Sequence, residues 1–361
     1  MACRGHGGSA APAAAPLTAI PEPAVPSASE PIGEHTPHPA RAATWAFERD
    51  LLGTRVRLLL VHTDAAVAAH AAEAAFARIV ELDRILSDYR PDSELRRLTR
   101  DHPPGLAIPV SADLHAVLLP AADLARATRG AFDVTVAPLT RVWRRARRRG
   151  ELPAPRTLER ARARVGHAAL LVQRDEPRVV LARGDLDLDL GGIAKGHVLD
   201  EVLATLAAGG VTSALVDAGG DLAASGPPPG RAAWRVALAD VPGLPDGASL
   251  DLVHGALATS GDRFQRLELD GLVRSHLVDP RTGLPLTDRA AATVLAPTGL
   301  EADGLASALC VLPVDEGLAL VAARPGVEAR LARAPDGPDR RPSLHTSLGF
   351  PPFDNPPDGV E

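Results

Sequence analysis

The chain has 361 residues, 45% hydrophobic and 23% charged, ordinary globular proportions that exclude a collagen-like, fibrous or wholly disordered protein. Its formal net charge of −6 argues against a general nucleic-acid binder, whose affinity rests on a basic surface. Among 39 basic residues Lys195 is the only lysine, and Tyr89 is the only tyrosine, so these two survivors of an Ala-, Arg-, Gly- and Pro-rich composition are informative positions.

No stretch approaches the roughly 20 apolar residues that span a bilayer, and the start lacks the apolar core of a signal peptide. Met1-Ala2-Cys3 leads into an Ala-, Pro-, Ser- and Gly-rich segment, so residues 1–45 read as a disordered tether. A cysteine ahead of a tether is how a mature bacterial lipoprotein begins. Cys3 therefore reads either as a lipidated residue, with the true start upstream, or as an accidental cysteine in a tail. Cys310 lies in an apolar helical pattern and reads as a buried small hydrophobe.

Folded sequence begins near Trp45. Arg55–His62 reads as a first strand, with Val56, Leu58 and Leu60 on one face. From Asp64 to Leu86 apolar residues recur at helical spacing, with Val67, Ala71, Ala75, Ile79 and Leu82 as core contacts. Pro91 breaks that pattern, and Asp92 or Ser93 caps the next helix; Ser111 caps another that runs to Ala127, with a kink or break at Pro120. Six arginines then crowd around Trp143 between Arg141 and Arg149, which reads first as a solvated helix face and otherwise as a patch for an acidic partner. Strands follow at 170–172 and 179–182. The alternating Asp185–Leu190 reads as a further strand, ending in glycines before a helix that contains Lys195. Strands at 213–218, 234–239, 255–259, 266–269 and 291–295 and helices after Thr298 and Asp315 complete the pattern. No period of repetition is present.

Three elements carry chemistry. The strand–glycine–helix turn around Lys195 offers close backbone approach, free N–H groups and a positive charge, the parts of a phosphate cradle. Thr298-Gly299-Leu300-Glu301 is a capping box opening a helix on which Asp303 and Ser307, four residues apart, share one face. Such hard oxygens suit Mg²⁺, although an acidic residue early in a helix usually serves only the helix dipole. His276, in Ser275–Gly283, is either a general base or one of 12 histidines without a chemical role. No Gly-x-Ser-x-Gly elbow supports serine hydrolysis.

Taken together and in order, SDYRPDSELRRL (87–98), GAFDVTVAPL (130–139), DLGGIAKGHVLD (189–200), VDAGGD (216–221), TSGD (259–262), SHLVDPRTG (275–283) and APTGLEADGLASAL (296–309) resemble the ApbE family of FAD:protein FMN transferases. The resemblance implies an α+β, T-fold-like single catalytic domain of mixed sheets flanked by helices, residues 46–350, with a disordered tail at 351–361. It implies FAD as substrate, bound with Mg²⁺ in a cleft between two halves of the domain. The FMN moiety passes to a Thr or Ser hydroxyl of an acceptor protein and AMP leaves. By similarity Leu52, Tyr89, Ala131, Phe132, Asp133, Asp189, Lys195 and Leu277 bind the flavin dinucleotide. The metal takes Asp303, Ser307 and backbone near Gly192 and Ala194, with Ala306 close by, and His276 is the catalytic base. Thr99 and Asp217 stand where the family commonly has Asn, and Asp217 adds a carboxylate near an anionic ligand. The same site without an acceptor gives an FAD pyrophosphatase, and without chemistry a flavin-binding lipoprotein. The acceptor motif of the family, resembling Asp-Gly-x-Ser/Thr-Gly-Ala/Ser-Thr, has no copy here, so self-modification is not expected. The resemblance and Cys3 favour the cell envelope; a correct start at Met1 favours the cytoplasm.

Overall fold

The computed structural model describes residues 42–238, 248–261, 266–269, 272–287, 289–334 and 342–353. Cys3, the tether to residue 41, Asp262 and the tail beyond 353 lie outside the described residues. The chain opens with a hairpin of β1 (Ala43–Leu51) and β2 (Thr54–His62). β1 precedes the strand that the sequence pattern picks out. Of its nine residues only Phe47 is buried, so it is an edge strand with too little apolar alternation to be read. The reversal at Leu52-Gly53 has φ of 55° and 72°, the primed turn that matches strand twist, and it holds Leu52 in a conformation non-glycine residues rarely adopt.

Next come α1 (Ala65–Leu86), capped by Asp64, and α2 (Glu94–Arg100), capped by Ser93. β3 (Ala107–Pro109) leads to α3 (Ala112–Ala127), which Ser111 caps and which continues through Pro120 without a break. α4 (Ala137–Arg149) and α5 (Pro155–Arg162) follow, then β4 (Leu170–Val172) and β5 (Arg178–Leu181). α6 (Ala194–Ala208) enters β6 (Ser213–Ala218), β7 (Asp221–Ser225), β8 (Trp234–Ala237), β9 (Ser249–Leu252) and β10 (Gly255–Gly261). After β11 (Arg266–Leu269), β12 (Leu272–Ser275) and β13 (Arg289–Ala296) come α7 (Gly299–Val311), α8 (Val314–Ala322), β14 (Glu328–Ala334) and β15 (Ser343–Thr346).

The architecture is α+β. Eight strands form one sheet in the order β1-β2-β6-β7-β10-β13-β14-β15, and β3-β5-β4, β8-β9 and β11-β12 form small ones. Neighbouring strands in the large sheet are antiparallel throughout. α1, α6 and α7 cover one face of it, and buried alanines of α1 (Ala68, Ala71, Ala72, Ala75) allow close helix packing. On the opposite face, β8 and β9 bury Trp234, Val236, Leu250 and Leu252 against Leu215, Leu222 and Leu257. α4 and α5 enclose a third cluster of Trp143, Ala146, Ala161 and Val278.

Asp185–Leu190 is extended but joins no strand, a correction to its reading as one. Its alternation is genuine, because Leu186, Leu188 and Leu190 are all buried. The intervening Asp187 and Asp189 are buried as well, and arginine side chains satisfy them instead of solvent. Period two here reports two buried faces, one apolar and one ionic.

The crossing of α6 and α7 is the tightest contact. A Cβ on Gly196 would lie 2.0 Å from the Gly299 carbonyl oxygen, and one on Gly299 would lie 2.4 Å from that of Gly196. At this approach each helix caps the other. Asp200 of α6 accepts the N–H groups of Gly299 and Leu300 at 2.6 and 3.0 Å, while Asp303 of α7 accepts that of Gly196 at 3.0 Å. Gly196→Ala should therefore cost about 1–3 kcal/mol through overpacking, read as a lowered thermal midpoint. Gly184→Ala, whose added methyl meets only Pro104 at 3.5 Å, should leave the midpoint nearly unchanged.

Candidate active site

A cleft of about 870 Å³ opens where α6, α7, the β1–β2 hairpin, the end of β10 and the segment after β12 converge. Its walls include Leu52, Tyr89, the Ala131-Phe132-Asp133 turn, Asp189, Gly192, Ala194, Lys195, His276, Leu277, Asp303 and Ser307. Of the expected catalytic, flavin-binding and metal residues, Ala306 alone is not at the wall, being 1% exposed within α7, and the departures Thr99 and Asp217 do not line it either. A second cavity of about 580 Å³ lies against Trp234 and Pro228, and no carboxylate or histidine lines it.

The floor is built by the start of α6 and by Asp303, Ser307 and Val311 of α7. Gly192 is in the loop before α6, where an added Cβ would lie 2.9 Å from Ser307 Oγ and 3.5 Å from the Phe132 ring, so glycine lets this backbone meet α7. Lys195 Nζ pairs with the buried carboxylate of Asp221, whose other oxygen accepts the Thr259 N–H at 3.3 Å. Burial alone would lower the pKa of Lys195, but the charges of Asp303 and Asp221 outweigh it and hold the ammonium above the ordinary lysine range. Asp303 is pushed up to about 7 by burial and by Asp221, against the opposing pull of Lys195 and the N–H of Gly196. The Asp221 and Asp303 carboxylates beside one ammonium, with the Ser307 hydroxyl against the Gly192 backbone, form an oxygen set short of positive charge, which suits a hard divalent cation.

The side wall is an ion lattice. Arg144 of α4 donates to Asp88 at 2.7 Å and to Asp189 at 3.0 Å, and its guanidinium carbon lies 4.7 Å from the centre of the Tyr89 ring. Tyr89 is 75% exposed, its ring standing free at the mouth. Asp189 is otherwise engaged by the Thr140 hydroxyl at 2.8 Å and the Gly191 N–H at 2.9 Å, so it holds the glycine loop in shape and has little capacity left for a ligand. Asp133 is similarly occupied, accepting from the Thr135 N–H and hydroxyl and from the His167 N–H. Asp217 turns its carboxylate onto the Gly220 N–H at 2.9 Å, an acceptor role that Asn fills equally well. Thr99 bonds back to its own helix at Arg96.

Arg144, Asp88, Asp221 and Asp200 are site-building residues that the motifs alone did not single out. Each acts through a partner at least 26 positions distant in the chain, and only Asp221, closing its glycine pair, carried a local signal. One more cluster of possible ligands, Asp113, His197 and Glu201, lies outside the cleft. There the Arg78 guanidinium already donates to both carboxylates and supplies the positive charge.

Residues 52–331 match the model of the ApbE family. The chain belongs to that family. A Haemophilus influenzae protein named FAD:protein FMN transferase is 33% identical over 242 residues, 64% of this chain and 70% of its own length. A Treponema pallidum protein of the same name is 31% identical over 307 residues, covering 80% of this chain and 84% of its own. The apo crystal structure of Pseudomonas stutzeri flavinyl transferase ApbE superposes with a TM-score of 0.74 at 31% identity, covering 86% of this chain and 96% of that one. The flavin transferase ApbE from Vibrio cholerae gives 0.72 at 27% identity, covering 86% and 99%. The family's ordered motifs are thus carried on the family's fold.

The lattice sets a pH-dependent expectation. Burial and the charge of Asp189 already hold the Asp88 carboxyl above its usual range, opposed by Arg144. Arg144→Met removes that opposition, so ionised Asp88 and Asp189 are left uncompensated at a cost of about 3 kcal/mol. Because a raised carboxyl penalises the fold only when ionised, the deficit relative to the parent should be largest above neutrality and should shrink as the pH falls toward 5. Urea unfolding across that range measures it.

Proposed function

We propose that the protein transfers the FMN moiety of FAD to a Thr or Ser hydroxyl of an acceptor protein and releases AMP. The observation that carries this reading is the meeting of the capped α6 N-terminus, Lys195 and the Asp303 and Ser307 oxygens on one wall of a cleft that also contains His276, with Asp221 buried against Lys195. That wall suits a pyrophosphate: the Lys195 ammonium and the positive start of α6 attract the anion, and acidic oxygens beside them hold a cation. Asp303, Ser307 and backbone carbonyls at Gly192 and Ala194 would hold Mg²⁺. When bound, the ion supplies charge neutralisation on the non-bridging phosphate oxygens.

The chain's own residues account for the remainder. Lys195, kept charged by its carboxylate neighbours, steadies the negative charge that spreads over the transferred phosphoryl group. Tyr89, backed by Arg144, offers its face to the flavin ring, and Leu52 and Leu277 add apolar contact. The acceptor oxygen forms a bond to the FMN-side phosphorus as the bridging P–O bond breaks and AMP departs. The hydroxyl proton passes to His276, a base suited to neutral pH.

His276→Ala should bind FAD as the parent does and lose transfer by about 10²–10⁴-fold. The assay mixes protein, FAD, Mg²⁺ and acceptor and reads flavin fluorescence that survives denaturing electrophoresis. Undiminished transfer removes His276 from the mechanism; free FMN without labelled acceptor identifies a pyrophosphatase, and neither product a binding protein. If the true start lies upstream and Cys3 is lipidated, the same reading puts the protein at the cell envelope. Mass spectrometry of the native N-terminus that finds no lipid-modified cysteine ends that part of it.

A further inference from the structure

Between positions 141 and 162 the chain carries nine arginines and two glutamates, although its net charge is −6. The structure divides these arginines by role. Arg141 and Arg144 turn inward, to Asp187 and to Asp88 and Asp189. Arg147 lines the cleft beside Arg144. Arg145, Arg148 and Arg149 are exposed, and among the described residues no carboxylate lies within ion-pairing distance of any of them. α5 packs beside α4 through Ala161 and Leu158 against Trp143 and Ala146, and it adds exposed Arg160 and Arg162, which also lack such a partner among the described residues.

A solvated helix face does not account for this arrangement. A cation in the last turn complements the helix dipole, but each further one there repels its neighbours and gains little. Elsewhere exposed arginines either sit beside carboxylates, as Arg100 with Asp101, Arg126 and Arg174 with Asp123, and Arg183 with Asp185, or stand singly without one among the described residues, as Arg57, Arg84 and Arg231. On α4 and α5 five such arginines, Arg145, Arg148, Arg149, Arg160 and Arg162, are gathered together, and α4 forms one wall of the cleft.

We infer that the exposed arginines of α4 and α5 are the docking surface for the acceptor protein, which presents acidic residues on either side of the hydroxyl it sends into the cleft. The inference rests on the transferase reading for the identity of the partner. Its argument is position and charge: α4 is one wall of the cleft and Arg147 continues the basic surface into it, so a segment that enters over this wall lays a flank across α4. Complementary charge there accelerates encounter and fixes the register of the segment without entering the chemistry.

The test uses two fluorescently labelled peptides bearing the family acceptor motif, one flanked by glutamates and one by glutamines, with FAD-loaded protein at low salt. The parent should bind the glutamate-flanked peptide on the order of tenfold more tightly by anisotropy, and added salt should erase the difference. The triple variant Arg145→Gln, Arg148→Gln, Arg149→Gln should lose the preference while its FAD affinity and thermal midpoint stay at parental values. Equal binding of both peptides by the parent, or a preference that survives in the triple variant, overturns the docking surface. So does a variant that loses binding to phosphatidylglycerol vesicles and keeps the peptide preference, since the arginines then face a membrane. Flavin transfer to both peptides at equal rates retains the transferase and rejects the docking surface. Charge-dependent binding with no flavin transferred to either peptide supports the surface and rejects the transferase.

Discussion

Two helices that cap each other are the constraint on which the site depends. α6 and α7 meet where Gly196 and Gly299 leave no room for a side chain, and at that separation Asp200 reaches the start of α7 while Asp303 reaches the start of α6. The exchange satisfies N–H groups that every helix start leaves open, and it directs both positive helix ends toward one place. Ser307, one turn beyond Asp303, comes against the Gly192 backbone as a geometric result. Neither helix can shift along the other without uncovering a cap, so the positions of Lys195 and Asp303 are coupled.

Around that floor the protein balances buried charge rather than avoiding it. Asp187 and Asp189 alternate with three buried leucines on a segment with no strand neighbours, and Arg96, Arg141, Arg144 and Thr140 take the place of a sheet. The apolar side of the segment anchors it in the core, and the ionic side holds the loop that follows. A carboxylate ladder answered by arginines is stiff only when complete, because any member removed leaves a charge without solvent or partner.

Much of this was legible in the sequence where the cause is local. The caps at Ser93, Ser111 and Thr298, the long alanine-rich helix, and the spacing of Asp303 and Ser307 follow from side chains acting within a few positions. The ordered motifs made the family recognisable before any geometry. What could not be read is what distant pairs decide. β1 is an edge strand whose partner defines it, Asp185–Leu190 looks like a strand because both of its faces are buried, and Pro120 is accommodated by α3. Arg141 and Arg144 could not be separated from their neighbours in a run of six, since only the position of Asp88, Asp187 and Asp189 turns them inward.

Lys195 gives the lysine-poor composition a structural meaning. Its ammonium sits beside Asp221 with Asp303 close enough to influence its charge. A guanidinium there is broader and flat, carries five donors in a fixed fork, and would crowd the Asp221 and Asp303 carboxylates. Arginine fills every other basic position of the chain, so the lone lysine falls where a compact point charge, not merely a positive one, fits between two buried carboxylates.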